Sequence, residues 1–209
     1  MTKVKICGIQ EIEHAKAAVA AGADAIGFVF AKSKRQISVE QAKRISDQLP
    51  ANILRIGVFV NATKEELEST AEEVGLHFLQ LHGDESFEFA SSLSFPYIKA
   101  FRITEERDLE HIASYHSNLF LLDSGHGPFA GGNGTSFEWD LLTKSKINRN
   151  KLILAGGLDS TNVERAIKEV NPYMVDVSSG VETAGKKDID KIKEFIKIAK
   201  RTRDMEEMK

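Results

Sequence analysis

The 209-residue chain is 42% apolar and 28% charged with a net charge of −3, an ordinary globular balance with length enough for a sizeable core. That charge gives no broad pull toward nucleic acid, no apolar run approaches the roughly 18 residues of a membrane span, and the opening "MTKVKICG" is unlike a secretory leader. The lone cysteine, Cys7, leaves no internal disulfide framework and no multi-cysteine zinc site, so the expectation is a cytoplasmic protein that binds neither nucleic acid nor membrane.

In chain order the candidate strands are "VKIC" (4–7), "AIGFVF" (25–30), "RIGVFV" (55–60), "HFLQLH" (77–82), "YIKAFRI" (97–103), "LFLLDS" (119–124), "LILAGG" (152–157) and "MVDVSS" (174–179). Most are nearly continuous apolar runs, as parallel strands buried on both faces require. Helical spacing fills the gaps. Ile12, Ala15 and Val19 share one face, as do Val163, Ala166, Ile167 and Val170, and then Ile189, Ile192, Phe195, Ile196 and Ala199. Ser38 with Gln41 and Thr63 with Glu66 have capping-box spacing, Gly22 and Gly75 stand where C-terminal caps belong, and Pro172 stops the seventh helix. Segments 84–93, 105–114 and 136–143 carry weaker helical patterns, and a polar tail runs over about 203–209.

Strands followed by helices in strict alternation close most naturally as a (β/α)8 TIM barrel, expected here as one domain over 1–209. A doubly wound open sheet is the alternative. In the barrel, functional groups sit at the C-terminal strand ends. Those ends carry Cys7-Gly8, then Lys32, Lys34 and Arg35, then Asn61, then Gln80, His82 and Gly83, then Arg102, then Asp123-Ser124, then Gly156-Gly157, and last Asp176, Ser178, Ser179 and Gly180. Polar residues gathered at one end of apolar strands are hard to explain by packing.

Residues two apart share a strand face, so Lys5 lies about 7 Å below Cys7 inside the barrel. Its ammonium would favour a thiolate; alternatively, Lys5 pairs with a carboxylate in the barrel floor. Gly156, Gly157, Ser178, Ser179 and Gly180 form a candidate phosphate pocket, because glycines admit an anion to backbone N–H groups and serines add donors. Cys7 and Asp123 are the candidate acid–base pair, brought from different strands to face a small ligand. Arg35 suits a ligand carboxylate, which guanidinium binds bidentately. His82 is either a third polar group of the pocket or a structural histidine. His111 and His116 read as surface, not metal ligands. "GHGPFAGGNG" (125–134) reads as a mobile lid and lacks the pattern of a nucleotide P-loop.

The motifs "VKICGI", "GADAIGFVF", "SKRQIS", "GVFVN", "QLHGDE", "LLDS", "AGGL" and "VDVSSGVE", with "GGNG" and "FEW" between, occur in an order that resembles the phosphoribosylanthranilate isomerase family of tryptophan biosynthesis. The resemblance spans nearly the whole chain. It implies an Amadori rearrangement of an aminoaldose to an aminoketose, with Asp123 as general acid at the furanose ring oxygen and Cys7 as general base at ribose C2. It further implies that Arg35 holds the anthranilate carboxylate, that Gly157, Ser179 and Gly180 bind the phosphate, and that Asp176 orders that end of the pocket. No cofactor or metal is implied, and the partner is a small phosphorylated substrate met by a monomer or homodimer. Two positions depart from the family pattern: no proline stands near Lys32, and Asn133 and Thr135 replace the Thr and Lys often found there. Another phosphosugar isomerase and a non-catalytic phosphosugar-binding barrel are the alternatives. The first is disfavoured by cysteine rather than aspartate at position 7, the second by the presence of both Cys7 and Asp123.

Overall fold

The apolar runs become the staves of a closed barrel. The computed structural model describes residues 2–103, 117–124 and 147–204, with the single positions 109, 112, 139 and 142. In it β1 (Lys3–Cys7) is followed around the ring by β2 (Ala25–Val29), β3 (Leu54–Phe59), β4 (Phe78–Leu81), β5 (Tyr97–Ile103), β6 (Leu119–Ser124), β7 (Leu152–Ala155) and β8 (Met174–Val177), which returns to β1. Every pairing is parallel, and closure is made by Lys5 standing in register with Asp176 on one side and Ala25 on the other.

Alternation along the strands makes two apolar layers. Ile6, Phe28, Leu79, Leu122 and Val175 face outward under the helices, while Ala25, Ile56, Ile98, Leu121, Ile153 and Met174 fill the barrel. Each large side chain so buried contributes about 1.5–3 kcal/mol. The interior is not apolar throughout. Lys5, Gln80 and Asp176 are buried in it as well, and they form the floor of the site.

The helices are capped as their sequences direct. α1 (Ile12–Ala21) ends at Gly22, whose φ is 101°, and α3 (Lys64–Val74) ends at Gly75, φ 72°. Ser38 accepts from Gln41 N at the start of α2 (Val39–Ser46), and Thr63 and Glu66 form a reciprocal capping box on α3. α4 (Phe87–Ser91) is a short helix within 84–93, capped by Ser86. α5 (Val163–Val170) stops at Asn171, in the left-handed region just before Pro172. α6 (Ile189–Asp204) runs into the tail expected from 203 and packs on both α1 and α5.

Two strands end two residues sooner than their sequences suggest. β7 stops at Ala155 because Gly156 and Gly157 take φ of 87° and 62°, outside any strand. β8 stops at Val177 because Ser178 leaves the extended region and a 3-10 turn follows over Ser179–Val181. Most of segments 105–114 and 136–143 lie outside the described residues, as do the lid stretch 125–134, Asn133, Thr135, His111, His116 and the chain from 205. Among the described residues, no helix is long and apolar enough to cross a membrane.

Candidate active site

Cys7 ends β1 at the barrel mouth, only 8% exposed. Gly27 is its register partner on β2, and a methyl group there would stand 2.9 Å from Cys7 Sγ and 3.1 Å from Lys5 Cε. The thiol and the lysine therefore lie side by side, as strand parity requires. Lys5 Nζ donates to Asp176 Oδ2 at 2.8 Å and to Gln80 Oε1 at 3.0 Å. Burial opposes its charge, but Asp176 foremost outweighs it, and the Lys5 pKa is raised. Burial also pushes the Cys7 thiol up. Lys5 and Lys187 pull it down and Asp176 pushes it up, and the thiol remains above its ordinary range. Lys5 thus favours the thiolate in sign but not enough to win. Its ammonium is committed to the carboxylate pairing that was the alternative.

From Lys5 a chain of contacts crosses the mouth. The Gln80 amide meets His82 Nδ1 at 3.0 Å, and His82 Nε2 lies 3.7 Å from Asp123 Oδ2. His82 and Asp123 are each about one-third exposed. Asp176 Oδ1 is buried with no hydrogen-bond partner among the described residues, an acceptor left for a ligand.

Arg35 is held by a residue that the sequence did not single out. Its Nε and Nη2 donate to Glu182 Oε1 and Oε2 at 2.5 and 2.9 Å. Glu182 belongs to a small hairpin of β9 (Glu182–Thr183) and β10 (Lys186–Lys187) after β8. Its carboxylate also pairs with Lys187 at 2.9 Å and Lys34 at 3.6 Å. Burial opposes its charge, yet Arg35 and Lys187 hold its pKa down to about 2. The signal in the sequence was "ETAGKK", a charged pair flanking an Ala-Gly turn.

The loops after β7 and β8 complete the rim. Asn162, also missed, is buried and donates to Gly157 O at 2.9 Å while its own oxygen accepts from Asp159 N, fixing the loop's path. The open left-handed backbone at Gly157 has nothing within 4 Å of where a Cβ would sit. The Ser178 hydroxyl is occupied within the fold, donating to Cys7 O and accepting from Lys187 Nζ. Gly180 stands behind the rim, where a Cβ would collide with the Leu158 carbonyl. Gly156, Gly157, Ser178 and Ser179 line one cavity with Cys7, Arg35, His82, Asp123 and Asp176. Its volume is about 1210 Å³, ample for a small organic ligand.

The fold is a (β/α)8 barrel whose mouth gathers a carboxyl, a thiol and a glycine-serine rim in one cavity at the C-terminal strand ends, where the enzymes of this fold carry their active sites. The model of the N-(5'phosphoribosyl)anthranilate (PRA) isomerase family matches residues 4–198. An N-(5'-phosphoribosyl)anthranilate isomerase of Bacillus cereus strain B4264 is 53% identical over 95% of this chain and 98% of its own. Among solved structures, the phosphoribosyl anthranilate isomerase of Thermotoga maritima, a dimeric isomerase, is 47% identical with a TM-score of 0.88, covering 96% of this chain and 100% of that one. A further phosphoribosyl anthranilate isomerase structure, solved in complex with reduced 1-(o-carboxyphenylamino)-1-deoxyribulose 5-phosphate, is 44% identical with a TM-score of 0.82 over the same shares. The chain belongs to the N-(5'-phosphoribosyl)anthranilate isomerase family and is an isomerase of tryptophan biosynthesis.

Proposed function

We propose that the whole chain, 1–209, acts as one barrel domain that rearranges N-(5'-phosphoribosyl)anthranilate to 1-(2-carboxyphenylamino)-1-deoxyribulose 5-phosphate, with Asp123 as acid and Cys7 as base. The observation that carries this reading is the shared cavity, in which the two groups come from β6 and β1 with the glycine-serine rim beside them. Asp123 donates its proton to the furanose ring oxygen as the amine nitrogen pushes the C1–O bond open. The product is a protonated Schiff base, whose positive charge acidifies the proton on C2. Cys7 takes that proton, and the electron pair neutralises the nitrogen, giving an enolamine. Loss of the enol proton to the Asp123 carboxylate and protonation at C1 from solvent complete the aminoketone and restore the acid.

The raised pKa of free Cys7 fits this order. A cationic Schiff base beside the thiol favours the thiolate, so the thiol gives its proton to solvent once the ring has opened and the thiolate then takes the C2 proton. Gly156, Gly157 and Ser179 present the phosphate site, Ser178 shapes it through Cys7 O and Lys187, and Gly180 lets the two loops meet. Asp176 Oδ1 takes a ribose hydroxyl. Arg35 already carries one carboxylate through Nε and Nη2, so the anthranilate carboxylate shares the remaining edge of the guanidinium. His82 borders Asp123. The active form is a monomer or homodimer in the cytoplasm.

Mixing the protein with phosphoribosylanthranilate and following anthranilate fluorescence tests the reading. Turnover is expected, with inorganic phosphate competing against substrate. Binding without turnover would favour a non-catalytic barrel instead.

A further inference from the structure

We propose that Gln80 is a positioning residue that fixes His82 as its neutral Nε2–H tautomer, so that His82 donates to Asp123 and selects which carboxyl oxygen carries the acid proton. The inference rests on the assignment of Asp123 as acid. It follows from donor and acceptor parity along one chain of contacts. An ammonium only donates, so Lys5 Nζ, 3.0 Å away, fixes the Gln80 oxygen toward itself. Gln80 is 1% exposed and its amide cannot turn without facing N–H against ammonium. The amide nitrogen must then donate to His82 Nδ1, 3.0 Å away. A ring nitrogen that accepts carries no proton, so the single N–H of a neutral His82 is on Nε2, which faces Asp123 Oδ2 at 3.7 Å.

Protonating Nδ1 costs the Gln80 bond. A small approach lets Nε2–H donate to Oδ2. That leaves Oδ1 to hold the proton for the ring oxygen, and it stabilises the carboxylate once the proton has gone. The other ionisable groups round this mouth are the pairs Lys5–Asp176 and Lys99–Glu85, the cluster of Arg35, Lys187 and Lys34 on Glu182, and Cys7, Lys32, Asp84 and Arg102. The two pairs are internally compensated, and the Glu182 cluster carries excess positive charge.

Gln80→Glu inverts the parity without removing the Lys5 contact. One carboxylate oxygen accepts from Lys5, and the other demands a proton on Nδ1. Nitrogen-15 NMR of the intact enzyme reads the tautomer directly. The wild type is expected to show neutral His82 with Nε2–H at pH 7. Gln80→Glu is expected to carry a proton on Nδ1, lower kcat by at least about tenfold, and move the basic limb of its pH profile to higher pH, because Nε2 no longer donates to the Asp123 carboxylate, with KM within a few-fold. His82→Gln, which keeps a donor near the Nε2 position, should retain more kcat than His82→Asn. Wild-type His82 with Nδ1–H, or as imidazolium at pH 7, overturns the proposal. So does a switched tautomer with an unmoved pH profile. Full activity in Asp123→Asn would remove the acid assignment while leaving the tautomer result standing, so the two failures are distinguishable.

Discussion

Replacing Lys5 by Met removes one ammonium from the barrel floor and strands two groups. Asp176 loses its 2.8 Å partner, and Gln80 Oε1 loses its 3.0 Å donor. Lys5 is fully buried and Asp176 nearly so, so water does not replace what is lost. Breaking a buried pair by removing one partner costs about 3–5 kcal/mol, against a total of about 5–15 kcal/mol for a domain. Urea denaturation reads this as a fall in midpoint at unchanged slope. Lys5→Met combined with Asp176→Asn leaves no stranded charge and should recover part of the loss. A second readout is local. Lys5 pulls the Cys7 thiol down against burial, so Lys5→Met should raise the midpoint of Cys7 alkylation against pH. A rise of about one unit corresponds to 1.36 kcal/mol and slows alkylation about tenfold at a fixed pH below both midpoints. An unchanged alkylation profile would refute the coupling of Lys5 to Cys7. A double variant no more stable than the single one would refute the charge-stranding argument.

Gly27→Ala should lower kcat more than about tenfold, because its methyl would stand 2.9 Å from Cys7 Sγ, well inside the roughly 3.5–4.0 Å of carbon contacts. Circular dichroism should show the fold retained, with an overpacking cost of about 1–3 kcal/mol. Glu182→Gln should flatten the acid limb of stability. The Glu182 pKa falls from 4.5 to about 2 on folding, so its stabilisation is present above pH 4.5 and is lost as pH falls toward 2. Urea midpoints measured at pH 7 and pH 3 should therefore differ less in the variant than in the wild type. The same change releases Arg35, so KM for the anthranilate-bearing substrate should move while kcat holds within a few-fold.

The strands were legible because a parallel strand covered on both faces needs an uninterrupted apolar run, and "LFLLDS" and "YIKAFRI" match β6 and β5 end to end. Their ends elsewhere were less so. "LILAGG" and "MVDVSS" continue the apolar signal into residues whose backbone has already left the sheet. Parity placed Lys5 beside Cys7 from five residues of sequence. It could not say that Asp176 and Gln80 hold the ammonium, because that depends on the register of β1 against β8 and on β4 across the barrel. Arg35 was visible as a guanidinium in a basic loop, but its partner lies 147 positions along the chain. Only closure of the barrel brings the hairpin with Glu182 and Lys187 to that loop. The thiol's net direction was not legible for a related reason: burial is a property of the whole mouth, and it outweighs the neighbouring cation whose sign the sequence shows.

The most direct test of the account is steady-state turnover of phosphoribosylanthranilate by Asp123→Asn and by Cys7→Ser, each checked for native folding and phosphate binding. General acid–base groups contribute about a hundredfold or more. Each variant should lose at least about that much in kcat with KM within a few-fold of wild type. Wild-type kcat in Asp123→Asn would contradict the assignment of acid and base across this barrel mouth.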